Sequence, residues 1–208
     1  MAEKREGDAK SMQNSVEFLD REKACVIYEQ KPPRHWFNYL WSEKGYCAQI
    51  SQSGHGRSYY LNEKAEMCMI NNNDARYVYL RDDESKESWN IGAMPMNREA
   101  EHYSCIHSIG YSKIQSENHG IFSSWRMFVP KDGFHEVWTL RLTNRSDRKR
   151  RLSVFEAVTF ELEGFSYPRY YENYRCMETV FDEELNGIYC SSVHPFMPHK
   201  RYLSLIHI

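Results

Sequence analysis

The chain has 208 residues, enough to bury a real core and the size of one large domain. Its 27 Lys and Arg stand against 29 Asp and Glu, a formal net charge of −2, which gives no electrostatic ground for nucleic acid or an anionic membrane as partner. Aromatic residues reach 14%, with 15 Tyr, and such side chains serve both β cores and sugar-stacking surfaces.

Residues 1–14 are polar and charged, with almost nothing to bury, and are expected to be a disordered lead-in. They hold no apolar h-region, so no signal peptide is predicted, and no apolar run approaches membrane-spanning length. Six cysteines are scattered without a C-x-x-C pair. Reduced, mostly buried thiols in a cytoplasmic protein are the expectation, with no zinc ribbon and no other metal site.

Order is expected to begin near Val16. Ala24–Tyr28 reads as a first strand, ended by the double proline after Lys31. His35–Trp41 is too aromatic for an ordinary loop and is predicted as a strand or an aromatic plug on a sheet. Tyr46–Ile50 resumes as a strand. Ser53–Ser58 is a flexible turn without the Lys-Ser/Thr signature of a phosphate loop, and His55 within it reads as an exposed turn residue.

Glu66–Ile70 is a short strand candidate, and Asn71–Asp74 is predicted to turn the chain. Tyr77–Arg81 and Glu87–Asn90 are expected to pair as a hairpin around a solvated acidic tip, Asp82–Ser85. Tyr103–Ile109 and Tyr111–Ser116 are two strand segments, or one strand with a bulge at Gly110. Asn118-His119-Gly120 is a hairpin turn. In Ile121–Val129 the odd positions carry Ile121, Trp125, Met127 and Val129; in Glu136–Thr143 Trp138, Leu140 and Leu142 share one side. This period of two predicts half-buried strands. The basic turn Asn144–Arg151 reads as a solvated hairpin tip. Leu152–Leu162 is apolar on both faces and is predicted as a central strand covered on both sides. Tyr167–Arg175 is aromatic and basic without periodicity, as in a long functional loop. Gly187–Ser192 begins another strand. The apolar run Leu203–Ile208 resembles an in-frame adapter translation, so a truncated gene fragment with a non-native tail over 203–208 is expected.

With turn signals about every ten residues and no convincing long helix, the prediction is an all-β antiparallel sandwich over residues 15–202. No residue cluster forms a complete catalytic site.

Several segments, in this order, resemble the N-terminal domain of glycoside hydrolase family 94, the cellobiose and chitobiose phosphorylases and their relatives. They are Phe18–Asp20 through Val26-Ile27, Pro33–Leu40, Asn72-Asn73 with Arg76–Asp82, and Trp89. His107–Ile114, Asn118–Ile121, Phe128–Pro130, Thr143–Lys149 and Leu152–Phe155 complete the series, so that the resemblance spans about residues 15–190. It implies a large two-sheet, galactose-mutarotase-like super-sandwich, followed in the family by a helical linker and an (α/α)-barrel. The implied reaction is reversible, inverting phosphorolysis of a β-linked glucoside. An Asp of the barrel serves as general acid and inorganic phosphate as nucleophile, so no second carboxylate and no cofactor is needed. The fragment itself would be catalytically silent.

The resemblance also implies a homodimer in which this domain shapes the acceptor side of the partner's site. The family loop Asn-Tyr-Gln-Arg-Asn matches without gaps within Tyr171-Glu172-Asn173-Tyr174-Arg175-Cys176, which implies Arg175, with Tyr174, against the sugar. Tyr174 stands for Gln and Cys176 for Asn, which puts a plain glucose acceptor in doubt. A purely structural Arg175, a stand-alone carbohydrate-binding sandwich, a ligand-free dimerisation domain and a fragment of a cyclic β-1,2-glucan synthase remain open alternatives.

Overall fold

The computed structural model describes residues 15–65, 67–164, 176–194 and 197–207. The expected lead-in over 1–14 and the loop residues Tyr174 and Arg175 lie outside these residues. All described elements are strands: β1 (Val16–Leu19), β2 (Ala24–Ile27), β3 (Phe37–Trp41), β4 (Tyr46–Ser51), β5 (Ser58–Leu61), β6 (Met67–Asp82), β7 (Ser88–Asn90), β8 (His102–Ser108), β9 (Tyr111–Asn118), β10 (Ile121–Phe128), β11 (Val137–Asn144), β12 (Leu152–Gly164), β13 (Cys176–Asp182), β14 (Gly187–His194) and β15 (Met197–His207).

Two six-stranded antiparallel sheets carry the fold. The first runs β1-β2-β8-β9-β10-β11. The second runs β12-β6-β5-β4-β3, with β7 paired to β6. A third sheet, β13-β14-β15, takes in residues 197–207.

The core sits between the two large sheets. Ile27, Cys105, Ile114, Ile121, Trp125 and Met127 come from one; Leu40, Tyr46, Ala48, Ile50, Val78, Leu80 and Trp89 come from the other. The alternation predicted for β10 is observed, with its odd residues inward, and Trp138, Leu140 and Leu142 of β11 pack on the core. The hairpin His119-Gly120 takes left-handed φ at both positions (53° and 73°), the twist that a two-residue turn requires.

Four local expectations are corrected. Asn71–Asp74 does not reverse the chain; it lies inside the 16-residue β6. Asn71 pairs with Ser58 of β5 and Phe160 of β12 and Arg76 with Val158, so the turn signal is expressed as an irregularity between Asn71 and Arg76 within the strand. Of the two readings around Gly110, two strand segments is the one observed, since Ser108↔Tyr111 closes a hairpin between β8 and β9. The basic segment between β11 and β12 is no hairpin tip. It carries the chain from one large sheet to the other. The hairpin around the acidic turn is observed with Glu84 and Ser85 exposed, but Asp82 at its base is wholly buried rather than solvated. Finally, β12 is an edge strand, with Val154 and Phe155 44% and 47% exposed, rather than a central one. Its apolar residues on two faces gave the same local pattern as double burial.

Among the described residues Cys25, Cys47, Cys68, Cys105 and Cys190 are free thiols, and no helix is long and apolar enough to cross a membrane.

Candidate functional site

Three polar knots join the two large sheets. The first is Arg76. Its side chain is fully buried on β6, and its Nε donates to Glu136 Oε2 at 2.8 Å and its Nη2 to Glu136 Oε1 at 3.0 Å. Nη1 donates to the Gly56 carbonyl at 3.0 Å, and Ser58 Oγ donates to Glu136 at 2.8 Å. Burial acts to raise the Glu136 carboxyl, but the Arg76 charge and these hydrogen bonds hold it below its ordinary value. Only glycine fits at position 56, where φ is +128° and a Cβ would stand 2.0 Å from the Gln49 carbonyl oxygen.

The second knot is Asp82. The backbone N–H groups of Glu84 and Ser85 and the guanidinium of Arg150 converge on it and hold its carboxyl at about 2 against the cost of burial. Arg150 also donates to the His119 carbonyl at 2.7 Å, so one arginine ties together the β6–β7 turn, the β9–β10 turn and the sheet crossing.

The third links β3 to β8 and β9. Asn38 Nδ2 donates to the carbonyls of Ser108 (2.7 Å) and Tyr111 (3.2 Å) and to Ser112 Oγ (3.2 Å). The Ser112 hydroxyl then donates to His107 Nδ1 at 3.0 Å, and His107 Nε2–H donates to the Trp36 carbonyl at 3.0 Å, since a carbonyl only accepts. Burial lowers the His107 pKa to about 4, so the ring is neutral at physiological pH.

These three knots use their polar groups internally, which makes them scaffold. Chemistry that faces outward is found on the opposite side of the β3-β4-β5-β6-β12 sheet. Because the pleat alternates, Phe37, Tyr39 and Trp41 project from β3 while Leu40 points into the core. Registers Tyr39↔Gln49, Trp41↔Cys47 and Cys47↔Tyr59 carry that face across β4 to β5, and Phe155↔Tyr79 places β12 beside β6. Trp41 and Tyr59 meet edge-on at 5.7 Å. A chain of rings runs Phe37–His35 (5.9 Å), His35–His55 (6.1 Å), His55–Tyr77 (5.6 Å) and Tyr77–Tyr79 (6.0 Å). His55 is therefore a half-buried member of this face rather than an exposed turn residue. The Arg81 guanidinium lies 5.4 Å over Phe155, and Gln49 Nε2 donates to Tyr39 Oη at 2.9 Å.

Burial raises the Tyr79 phenol, and burial with a bond to Cys47 raises Tyr59 further, so both stay protonated O–H groups near neutral pH. Flat rings edged with amide, guanidinium and hydroxyl groups suit stacking on the C–H faces of a sugar or packing on another protein surface. Burial also pushes the Glu156 carboxyl up, yet it sits on the β12 edge opposite Val78, away from this outer face. No group of three or more His, Cys, Asp or Glu among the described residues could hold a metal ion.

Sequence reasoning had marked His35–Trp41 and Tyr77–Arg81 as strands without placing them on one face. Their odd-numbered aromatics were the available signal, but only the strand order joins them.

The family model described as the supersandwich domain of glycosyl hydrolase 94 matches residues 22–203. The chain is similar to 3-O-beta-D-glucopyranosyl-beta-D-glucuronide phosphorylase of Paenibacillus borealis, 37% identical over 147 residues, which are 71% of this chain and 19% of that protein. Solabiose phosphorylase of the same organism is 29% identical over 81% of the chain and 23% of its own length. N,N'-diacetylchitobiose phosphorylase of Vibrio furnissii is 34% identical over 69% of the chain and 19% of its own length. The chain thus spans about a fifth of the length of the curated relatives it matches.

Proposed function

The chain belongs to glycoside hydrolase family 94, and on that premise we propose that it supplies the supersandwich domain of an inverting disaccharide phosphorylase acting on a β-linked glucoside or oligosaccharide. The observation that carries the reading is the family match over residues 22–203, joined by relatives that are phosphorylases of three different saccharides. In this reading an oxygen of inorganic phosphate attacks the anomeric carbon while the glycosidic bond breaks. A general acid protonates the departing oxygen, and a sugar 1-phosphate of inverted configuration is released. Phosphate and acid sites belong to parts of the enzyme outside this chain, and no cofactor takes part. The domain serves as dimer scaffold and acceptor wall, with Arg175 and Tyr174 against the sugar of the neighbouring subunit. Arg suits that task because its planar fork pairs with vicinal hydroxyls. The free thiols Cys25, Cys47, Cys68, Cys105 and Cys190 fit a reducing compartment such as the cytoplasm.

The test is phosphorolysis by the complete enzyme encoded with this domain, with cellobiose and chitobiose as substrates and sugar 1-phosphate as readout. The 208-residue chain alone is expected to release none. Release by that chain would overturn the placement of the chemistry elsewhere.

A second reading, a free-standing carbohydrate-binding sandwich, is favoured by the exposed Phe37, Tyr39 and Trp41. Affinity electrophoresis of the chain in a soluble β-glucan separates the two readings: retardation that is lost in a Tyr39→Ala/Trp41→Ala variant supports the second.

A further inference from the structure

We infer that the outer face of β9-β10-β11 docks a second copy of this chain, which seats its acidic β13–β14 turn there. The inference gives a surface to the homodimer of the proposed function and rests on that reading.

The inward residues of these strands, among them Ile114, Trp125 and Met127, fill the core, so Lys113, Arg126 and Arg141 project outward. The register Arg126↔Lys113 sets two cations directly opposite each other, and Ser124↔Arg141 brings a third within one step of the pleat. Like charges so placed destabilise a sheet unless an anion lies between them. No carboxylate among the described residues pairs with any of the three, and Glu117 on the same face is taken by Arg145 at 2.5 Å. The Arg126 guanidinium lies over the rings of Tyr111 (4.7 Å) and Phe128 (5.4 Å), and that of Arg145 over Phe122 (4.1 Å). The ring faces are therefore covered, which leaves N–H edges for carboxylates rather than flat rings for a sugar. Ile109, 78% exposed in the β8–β9 turn, adds an apolar border beside Tyr111.

The complementary surface is on the same chain. β13 and the turn after it carry Glu178, Asp182, Glu183 and Glu184, and none of them has a cationic partner among the described residues. Asp182 Oδ1 accepts from the Leu185 N–H at 2.9 Å, which holds the turn. Val180, Phe181 and Leu185 stand exposed around these acids. Within one copy the basic and acidic groups do not meet, so charge and apolar surface are matched between copies. Each copy carries both surfaces, so a two-fold pair makes the contact twice and closes.

The experiment is sedimentation-velocity centrifugation of the full chain at about 50 mM and about 0.5 M NaCl, between which the screening length falls several-fold. A dimer is expected at low salt, with its dissociation constant rising ~10-fold or more at high salt. Arg126→Glu should weaken the dimer ~10-fold or more, Glu183→Lys/Glu184→Lys likewise, and all three changes in one chain should restore it. These side chains are exposed, so the variants are expected to keep the wild-type thermal midpoint. If Arg126→Glu does not fold, Arg141→Glu takes its place. A dimer indifferent to the reversals overturns this surface and leaves the homodimer of the proposed function standing. A monomer at every concentration also overturns it, and the oligomeric state of the complete enzyme, measured the same way, shows whether the homodimer falls with it. Reversals that weaken the dimer without mutual rescue, or assemblies that grow beyond the pair, overturn the proposal equally.

Discussion

Replacing His107 by Gln should remove a slope from the dependence of stability on pH. His107 is 7% exposed, and its pKa falls from the ordinary 6.5 to about 4 because burial penalises the imidazolium. A group whose folded pKa lies below its unfolded value stabilises fully above the unfolded value. That contribution fades as pH falls through 6.5 and is gone below the folded value. At pH 4.5 the unfolded ring is almost wholly charged, while the folded ring is still mostly neutral. The linkage arithmetic then gives a loss of about 2.5 kcal/mol relative to pH 7.5. With a urea slope of about 2 kcal/mol/M, the midpoint of the wild-type chain should drop by about 1.2 M more than that of His107→Gln over the same interval. Gln can still donate to the Trp36 carbonyl and accept from Ser112, so the geometry of the link is kept while its titration is lost. Taking the difference between the two proteins cancels the other histidines, and Asp82, held at about 2, titrates below this window. Parallel pH profiles for the two proteins would refute the reasoning.

Two further outcomes follow from the other cross-links. Arg76→Met leaves Glu136 buried without its counter-charge and should cost about 3–5 kcal/mol in urea unfolding, with Arg76→Met/Glu136→Gln recovering part of the loss. Gly56→Ala, which drives a Cβ into the Gln49 carbonyl and keeps a left-handed φ, should cost more than about 1 kcal/mol and lower the thermal midpoint, whereas the same change at the open Gly110 should cost less.

The all-β class and most strands were legible because a period of two is a local property. Ile121–Phe128 and Trp138–Leu142 show it plainly, and their burial follows. What was not legible depended on partners distant in sequence. Asn71–Asp74 carries turn residues, yet β5 and β12 hold it inside a strand. Asp82 in an acidic run looked solvated until Arg150, 68 residues later, met it. The basic stretch before β12 looked like a hairpin because nothing local reveals that β11 and β12 lie in different sheets. Of the candidate site, the aromatic strands were visible one by one. The face they form required the order β3-β4-β5-β6.

The same segments that carry the family resemblance divide their work by parity. In Arg76–Asp82 the even residues point inward: Arg76 and Asp82 make polar links, while Val78 and Leu80 fill the core. The odd residues Tyr77, Tyr79 and Arg81 lie on the outer face. In Phe37–Trp41 the division repeats, with Asn38 and Leu40 inward and Phe37, Tyr39 and Trp41 outward. Resemblance across such a segment therefore mixes two constraints. Inward positions answer to stability, since a buried donor or charge without its partner is costly. Outward positions on β6 are half-buried and pack on one another along the sheet, whereas those on β3 are exposed, where substitutions move stability by about 0.5 kcal/mol or less. The exposed rings Phe37, Tyr39 and Trp41 of β3 thus add less to holding the sandwich together than the inward residues they alternate with.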